Sequence, residues 1–254
     1  MTQGGAKPDY VAEERHGSRA GPFKNALLNA LGPDVIARLH LRPVTLELEH
    51  EIEFPDSLIS YLYFIEDGLA SMTTTFRDGA QVEVGMFGNR SVIGVSALMG
   101  SKRSLNRVYT QIAGSGYASP VESSRAEFRL GGAFQLLALG YVQAQLVQVI
   151  QLAGCNARHT YEQRLARWLL VCKDRAERDT FQMSQEFLSS MLGSTRSTMS
   201  IAAADLKQQG LIEYTRGVIH IRDPKGLEKK ACECYAAVEE YLDNFLQYDG
   251  GLPA

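Results

Sequence analysis

Cysteine is scarce in this chain: four residues in 254, Cys155, Cys172, Cys232 and Cys234. That is too few and too scattered for the disulfide framework of a secreted domain. The first twenty residues also lack the apolar run of a signal peptide, being polar, charged and glycine-rich. These two absences predict a reducing, cytoplasmic compartment. The five histidines, His16, His40, His50, His159 and His220, form no HExxH or other ligand-spaced pair. No nucleophile elbow, phosphate loop or plausible triad occurs either. Neither an enzyme nor a resident metal or other cofactor is expected.

Strong net charge is missing as well. The formal charge is −3, which argues against bulk electrostatic adhesion to nucleic acid. The average conceals an asymmetry. Residues 156–230 hold 13 Lys/Arg against 9 Asp/Glu, whereas residues 231–254 hold five acidic side chains and no basic one. A basic segment set before an acidic one points to a local polyanion site.

Between Gly131 and Ala157 there is no charged residue at all, which meets the length rule for a membrane span. Gln135, Gln143, Gln145, Gln148 and Gln151 interrupt it, and five amides would be costly in hydrocarbon. The stretch therefore reads as a helix hidden by protein. Leu139, Val142, Leu146, Val149 and Ala153 follow a 3-4 spacing, a heptad seam suited to a second copy of the chain. Phe134, Leu137, Ala138 and Tyr141 would cover the preceding domain from the other face.

That preceding domain has the texture of short strands. LELEHEIEF, YLYFI, SMTTTF, VEVGMFG and RVYTQIAG are punctuated by Glu66-Asp67-Gly68 and Asp78-Gly79, which predicts an antiparallel barrel or roll of about eight strands. Glu47, Glu49, Glu51 and Glu53 alternate along the first run and read as its solvated face. A short helical pattern, Asn25 to Leu39 with a break at Gly32-Pro33, comes before it, and residues 1–21 are too poor in apolar side chains to be expected to order.

Residues 181–221 carry the functional signal. Ser184 is a good N-cap with Glu186 in the first turn, and Gly193 stops that helix. Ser194 or Thr195 caps a second helix that runs to Gln209 and ends at Gly210, with Met199, Ala202, Ala203 and Leu206 facing inward. Two strands joined by a tight Arg216-Gly217 turn follow, as in a wing. Helix, glycine turn, helix and wing make a winged helix-turn-helix whose second helix opens with Ser, Thr and Arg, side chains suited to phosphates and to guanine edges. Double-stranded DNA is the partner this pattern predicts.

The order of roll, long helix and winged helix-turn-helix resembles the Crp/Fnr family of bacterial transcription regulators, over residues 22 to about 230. The family's recognition helix opens with a Gly-x-[ST]-Arg-x-Thr pattern, and here Gly193-Ser194-Thr195-Arg196-Ser197-Thr198-Met199-Ser200 matches it. The resemblance implies that Arg196 contacts a base or phosphate, that Ser197, Ser200 and Ile201 occupy the other base-reading positions, and that Ser184-Gln185 meets phosphate. Ser194, Thr195, Thr198 and the wing residue Arg216 complete the expected DNA-binding set. Cyclic-nucleotide binders of the family carry a Phe-Gly-Glu-Leu-Ala-Leu cassette; the run here is Ile93-Gly94-Val95-Ser96-Ala97-Leu98, with Val95 in place of the glutamate. Cyclic-nucleotide binding is therefore not expected. Residues 1–131 contain no cysteine, which disfavours the family's N-terminal iron–sulfur cluster.

Read as a whole, the sequence predicts an α+β protein. Its domains are an N-terminal antiparallel, cyclic-nucleotide-binding-like β-roll with a dimerisation helix (22–157, the helix at 131–157) and a winged helix-turn-helix with a closing helix (158–254). The expected function is a homodimeric regulator on a near-palindromic DNA site, working with RNA polymerase and without a membrane. A sensor module that signals through protein contacts is the alternative. Cys232-Glu233-Cys234 reads as an incidental or buried pair, because residues two apart on a helix diverge; a redox switch is the other reading.

Overall fold

The computed structural model describes residues 21–247; the tail at 1–21 lies, apart from Gly21, outside the described residues. Two short helices open the fold, α1 (Ala26–Asn29) and α2 (Pro33–Arg38). The Asn25 side chain accepts from the Leu27 and Leu28 amides to cap α1. Pro33 starts α2, where its missing N–H would have had no helical partner.

Six strands then form one antiparallel sheet: β1 (Arg42–Leu46), β2 (Glu51–Glu53), β3 (Tyr61–Thr75), β4 (Gln81–Phe87), β5 (Val92–Ile93) and β6 (Arg107–Pro120). Their order is β1-β6-β3-β4, with β2 also on β6 and β5 on β3. The strands are fewer than the expected eight because YLYFI and SMTTTF are halves of one 15-residue strand, β3. Glu66-Asp67-Gly68 marks register shifts within its pairing to β6 rather than a turn. Gly68 sits there at φ +91°, and a Cβ on it would lie 2.5 Å from the Ile112 carbonyl oxygen. A bulge and a hairpin use the same glycine chemistry, so the dipeptide alone does not separate them. LELEHEIEF errs the other way. The chain turns between β1 and β2, with Glu49 at φ +61°, so the alternation of glutamates is not a single strand face.

The remaining elements are α3 (Val121–Arg129), α4 (Ala133–Arg158), α5 (Tyr161–Ala176), β7 (Thr180–Gln182), α6 (Gln185–Met191), α7 (Arg196–Gln208), β8 (Ile212–Thr215), β9 (Val218–Ile221), α8 (Pro224–Lys230) and α9 (Cys234–Gln247). A short 3₁₀ helix, Val95–Met99, lies between β5 and β6. Strands β7, β9 and β8 form a second, three-stranded antiparallel sheet.

Two cores result. Phe134, Ala138 and Tyr141 of α4 pack on Leu27, Leu62, Phe64 and Val92, so one face of α4 closes the roll. The second core joins Leu165, Trp168 and Leu169 of α5 to Leu188, Met199, Leu206, Ile219 and Leu227, and it takes in Leu69 and Met86 from the roll. Helix α9 returns along α4, with Val238 and Leu242 against Ala144.

Candidate nucleic-acid interface

Local chemistry fixes the helix-turn-helix. The Ser184 hydroxyl accepts from the Phe187 amide at 3.0 Å to start α6. Gly193 adopts φ +58°, a left-handed conformation that ends the helix without Cβ strain. The Ser194 amide then donates to the Ser189 carbonyl at 2.8 Å, closing the turn. Thr195 caps α7 by accepting from the Thr198 amide at 3.2 Å, and its hydroxyl also lies 3.0 Å from Ser197 Oγ and 2.8 Å from Thr198 Oγ1. From α5, Arg164 Nη2 donates to the Leu192 carbonyl, tying the end of α6 down. The buried residues of α7 are Met199, Ala202, Ala203 and Leu206, the four predicted from spacing.

The opposite face of α7 is bare. Arg196, Ser197 and Thr195 are exposed, and Ile201 is 64% exposed, an unusual place for a large aliphatic side chain. Ser194 and Thr198 are half-buried. Ser200 donates to Gln185 Oε1 at 2.7 Å, locking the two helices together and fixing the amide of Gln185.

The wing is a two-residue hairpin in which Thr215 pairs with Val218 and both central residues, Arg216 (φ +50°) and Gly217 (φ +78°), have positive φ. That pattern belongs to a type I′ turn, which matches strand twist and holds Arg216 at the tip. Ser184, Gln185, Arg196, Tyr214, Arg216 and Gly217 line one open recess of 280 Å³. Helix start, recognition-helix start and wing tip therefore converge on one surface. Arg196 and Arg216 are in no ion pair among the described residues, while Arg222 of the same domain is paired with Glu213. Two uncommitted guanidinium groups with hydroxyl and amide donors make a surface fit for phosphate oxygens and base edges. Tyr214 was not singled out from sequence; its hydroxyl donates to the Met183 carbonyl at 2.9 Å, and the alternation of β8 is the only signal for it.

The domain is docked on the roll. Trp168 Nε1 donates to Glu83 Oε1 at 2.7 Å, and Ser190 Oγ donates to the Gln81 carbonyl at 3.1 Å. Tyr109 meets Met191 Sδ at 3.5 Å, and Arg178 pairs with Asp67 at 2.8 Å. Arg175 Nη1 donates to the Met86 carbonyl.

The far side of α4 is an uncovered apolar stripe. Leu139, Leu146 and Val149 of the predicted seam are 46%, 51% and 40% exposed, and Leu136 and Ile150 join them at 39% and 61%. Ala153 is exposed, whereas Val142 is half-buried and leans into the core that α4 shares with the roll. By length and composition alone α4 is apolar enough to cross a membrane. In the roll, Gly94 and Val95 open the 3₁₀ helix, Val95 is buried, and the cavity beside it measures about 10 Å³.

A three-helix domain with a capped second helix and a β-wing, carried behind a β-roll and a long helix, defines a winged helix-turn-helix fold. Residues 163–230 match the family described as the Crp-like helix-turn-helix domain. The global nitrogen regulator of Synechocystis sp. is 24% identical over 196 residues, covering 73% of this chain and 87% of its own. That of Synechococcus elongatus is 22% identical over 217 residues, covering 82% and 97%. Among solved structures, FixK2 from Bradyrhizobium japonicum aligns with a TM-score of 0.64 at 19% identity, over 76% of this chain and 98% of that one. A CRP/FNR-family transcriptional regulator from Thermus thermophilus aligns at 0.62 and 18%, over 75% and 98%. Residues 163–230 thus form a Crp-like helix-turn-helix domain, and the chain as a whole shares the fold of these Crp/Fnr-family regulators, with a cyclic-nucleotide-binding-like roll ahead of that domain.

Proposed function

We propose that the protein acts as a homodimer that binds a near-palindromic duplex site, reading bases with the N-terminal half of α7 and holding phosphate with α6 and the wing. The observation that carries this reading is the recess that unites Ser184, Gln185, Arg196 and Arg216. Ser194, Thr195, Ser197, Thr198, Ser200 and Ile201 extend the contact surface along α7. Dimerisation uses α4, with Leu139, Leu146, Val149 and Ala153 at the seam, Leu136 and Ile150 added to it, and Val142 at its inner edge. Covering that stripe with a second copy, rather than with lipid, agrees with the docking of the opposite face of α4 on the roll. The working division is residues 22–157 as sensor and dimer helix and residues 158–254 as DNA-binding domain, in a cytoplasmic protein that acts on RNA polymerase and catalyses no reaction. Val95, standing where cyclic-nucleotide binders carry glutamate, supports an effector other than a cyclic nucleotide, or a constitutively set state.

Selection from a random duplex pool at physiological salt tests this. The expected outcome is a palindrome with half-sites about one helical turn, roughly 34 Å, apart. Arg196→Ala should then weaken specific binding by about 1–3 kcal/mol. A protein that recovers no DNA and is indifferent to that substitution would instead be a sensor module working through protein contacts.

A further inference from the structure

Two stretches of sequence 77 residues apart meet where α4 ends and α9 begins. Cys155 lies in the last turn of α4, and His159 is its C-cap; Cys232 precedes α9, and Cys234 is its first residue. Each offers one ligand atom, and the four atoms all lie within 4.8 Å of one another. Cys155 Sγ is 3.5 Å from Cys232 Sγ, and Cys234 Sγ is 3.5 Å from His159 Nδ1. The three cysteines are buried and pack as a cluster of their own. Since Cys232 is not helical, the divergence of side chains two apart on a helix does not separate this pair.

We propose that Cys155, His159, Cys232 and Cys234 bind one zinc ion in a closed, structural Cys₃His site. Zinc takes thiolates at ~2.3 Å and imidazole at ~2.0–2.1 Å in a tetrahedron, whose ligand–ligand edges are then about 3.5–3.8 Å. The two measured edges fit that figure. The ligands of an iron–sulfur cluster sit on different iron atoms and span more than this compact set. Sulfur and imidazole ligands also select zinc over magnesium or calcium. A disulfide between Cys155 and Cys232 would leave Cys234 and His159 without a role.

The surroundings supply a second, independent observation. His159 Nε2, the nitrogen turned away from the thiols, lies 3.2 Å from Glu233 Oε2. A carboxylate on the outer nitrogen is the arrangement that fixes the tautomer of a metal-bound imidazole. Gln151 Nε2 donates to Cys234 Sγ at 3.1 Å, a contact suited to a thiolate. With four protein ligands no position remains for a substrate or water, so the ion acts as a clip. It ties the end of the long helix to the start of α9 and sets how the last helix leaves the DNA-binding domain. The sequence pattern is Cys-x₃-His, which places both side chains on one helical face, followed by Cys-x-Cys far downstream.

Elemental analysis of the full-length protein, purified in reducing buffer without chelator, should find one zinc per chain. Protein stripped under reducing conditions and refilled with cobalt should show the intense visible bands of a tetrahedral thiolate site. His159→Cys should keep the metal, and Cys232→Ser should lose it. Glu233→Gln should lower zinc affinity about tenfold while leaving the stoichiometry intact. Folded wild-type protein that takes up no zinc after reduction and refilling would overturn the proposal. So would a Cys155–Cys232 disulfide found in its place, or iron with inorganic sulfide. None of these outcomes bears on DNA binding, so this proposal and the functional one fail separately.

Discussion

The single indole N–H of Trp168, on α5 of the DNA-binding domain, donates to Glu83 Oε1 on β4 of the roll across 85 residues of sequence. Both side chains are buried. Trp168 also meets Phe187 of α6 edge-on at 6.4 Å, so one residue touches the roll carboxyl and the first helix of the helix-turn-helix. Ser71 Oγ donates to the other carboxyl oxygen of Glu83 at 2.7 Å. Burial pushes the Glu83 carboxyl up to about 7, with the Ser71 and Trp168 hydrogen bonds and the Arg167 and Arg175 charges acting in the opposite direction.

A raised carboxyl has a defined effect on stability. The folded chain holds a proton that the unfolded chain gives up between about pH 4.5 and pH 7. The stabilising contribution is therefore complete below that window and is lost as pH rises through about 7. Its ceiling is on the order of 3 kcal/mol, from ~1.4 kcal/mol per pH unit. Of the neighbouring acids, Tyr109 is raised to about 12 and Cys172 well above its ordinary value, so both stay neutral here. Glu83→Gln keeps an acceptor for Trp168 and removes the titration. Thermal unfolding of the variant should be less pH-dependent than wild type between pH 5 and pH 8, with the gain in Tm confined to the alkaline side. Parallel curves would sink the assignment.

Trp168→Phe removes the donor while nearly preserving the ring. Glu83 Oε1 then loses its partner in a buried site, which should cost about 1–3 kcal/mol in urea denaturation. Combined with Glu83→Ala, which removes the acceptor, the two effects should not add, because each substitution removes one side of the same contact. An additive double mutant would mean that Trp168 contributes by packing alone.

Much of this architecture is legible in the sequence, and the reasons are local. Ser184, Gly193 and Thr195 each satisfy helix-end groups by their own chemistry, so helix boundaries follow from short windows. Met199, Ala202, Ala203 and Leu206 reveal the buried face of α7 because helical periodicity needs no knowledge of the partner. What was not legible depends on distant segments. Gly68 reads equally as a turn or a bulge until the opposing strand is in place. Val142 lies at the boundary of the α4 seam, and its side is settled by the returning helix α9 and the roll. Cys155 and His159 acquire meaning only beside Cys232 and Cys234.

Arg196 and Arg216 line the same recess but should fail differently when removed. Arg196 stands at the first position of α7, whereas Arg216 sits at the tip of the wing. Arg196→Ala should relax sequence preference at one base position and cost about 1–3 kcal/mol there. Arg216→Ala should weaken binding to all sequences alike and reduce the slope of log K against log salt by about 1. Titrations of fluorescent duplexes at several salt concentrations separate these outcomes. Equal loss on specific and random DNA for both variants would refute the division of labour.

The stripe on α4 sets a final expectation. Leu146 at 51% and Ile150 at 61% exposed are large aliphatic side chains one turn apart, in a helix whose other face is already committed to the roll. Each would gain about 1–2 kcal/mol by burial against a second copy, and the gain is doubled because the twofold axis repeats every contact. In the proposed dimer, Leu146→Glu would place two like charges at a dry seam. It should convert the dimer to a monomer in sedimentation at micromolar protein. The monomer should retain its fold, since Leu146 touches neither core, and its affinity for a palindromic site should fall to that for a single half-site. A variant that remains dimeric would place the dimer contact elsewhere on the molecule, and Val142→Glu, on the half-buried edge, would then be expected to unfold the roll rather than to split a dimer.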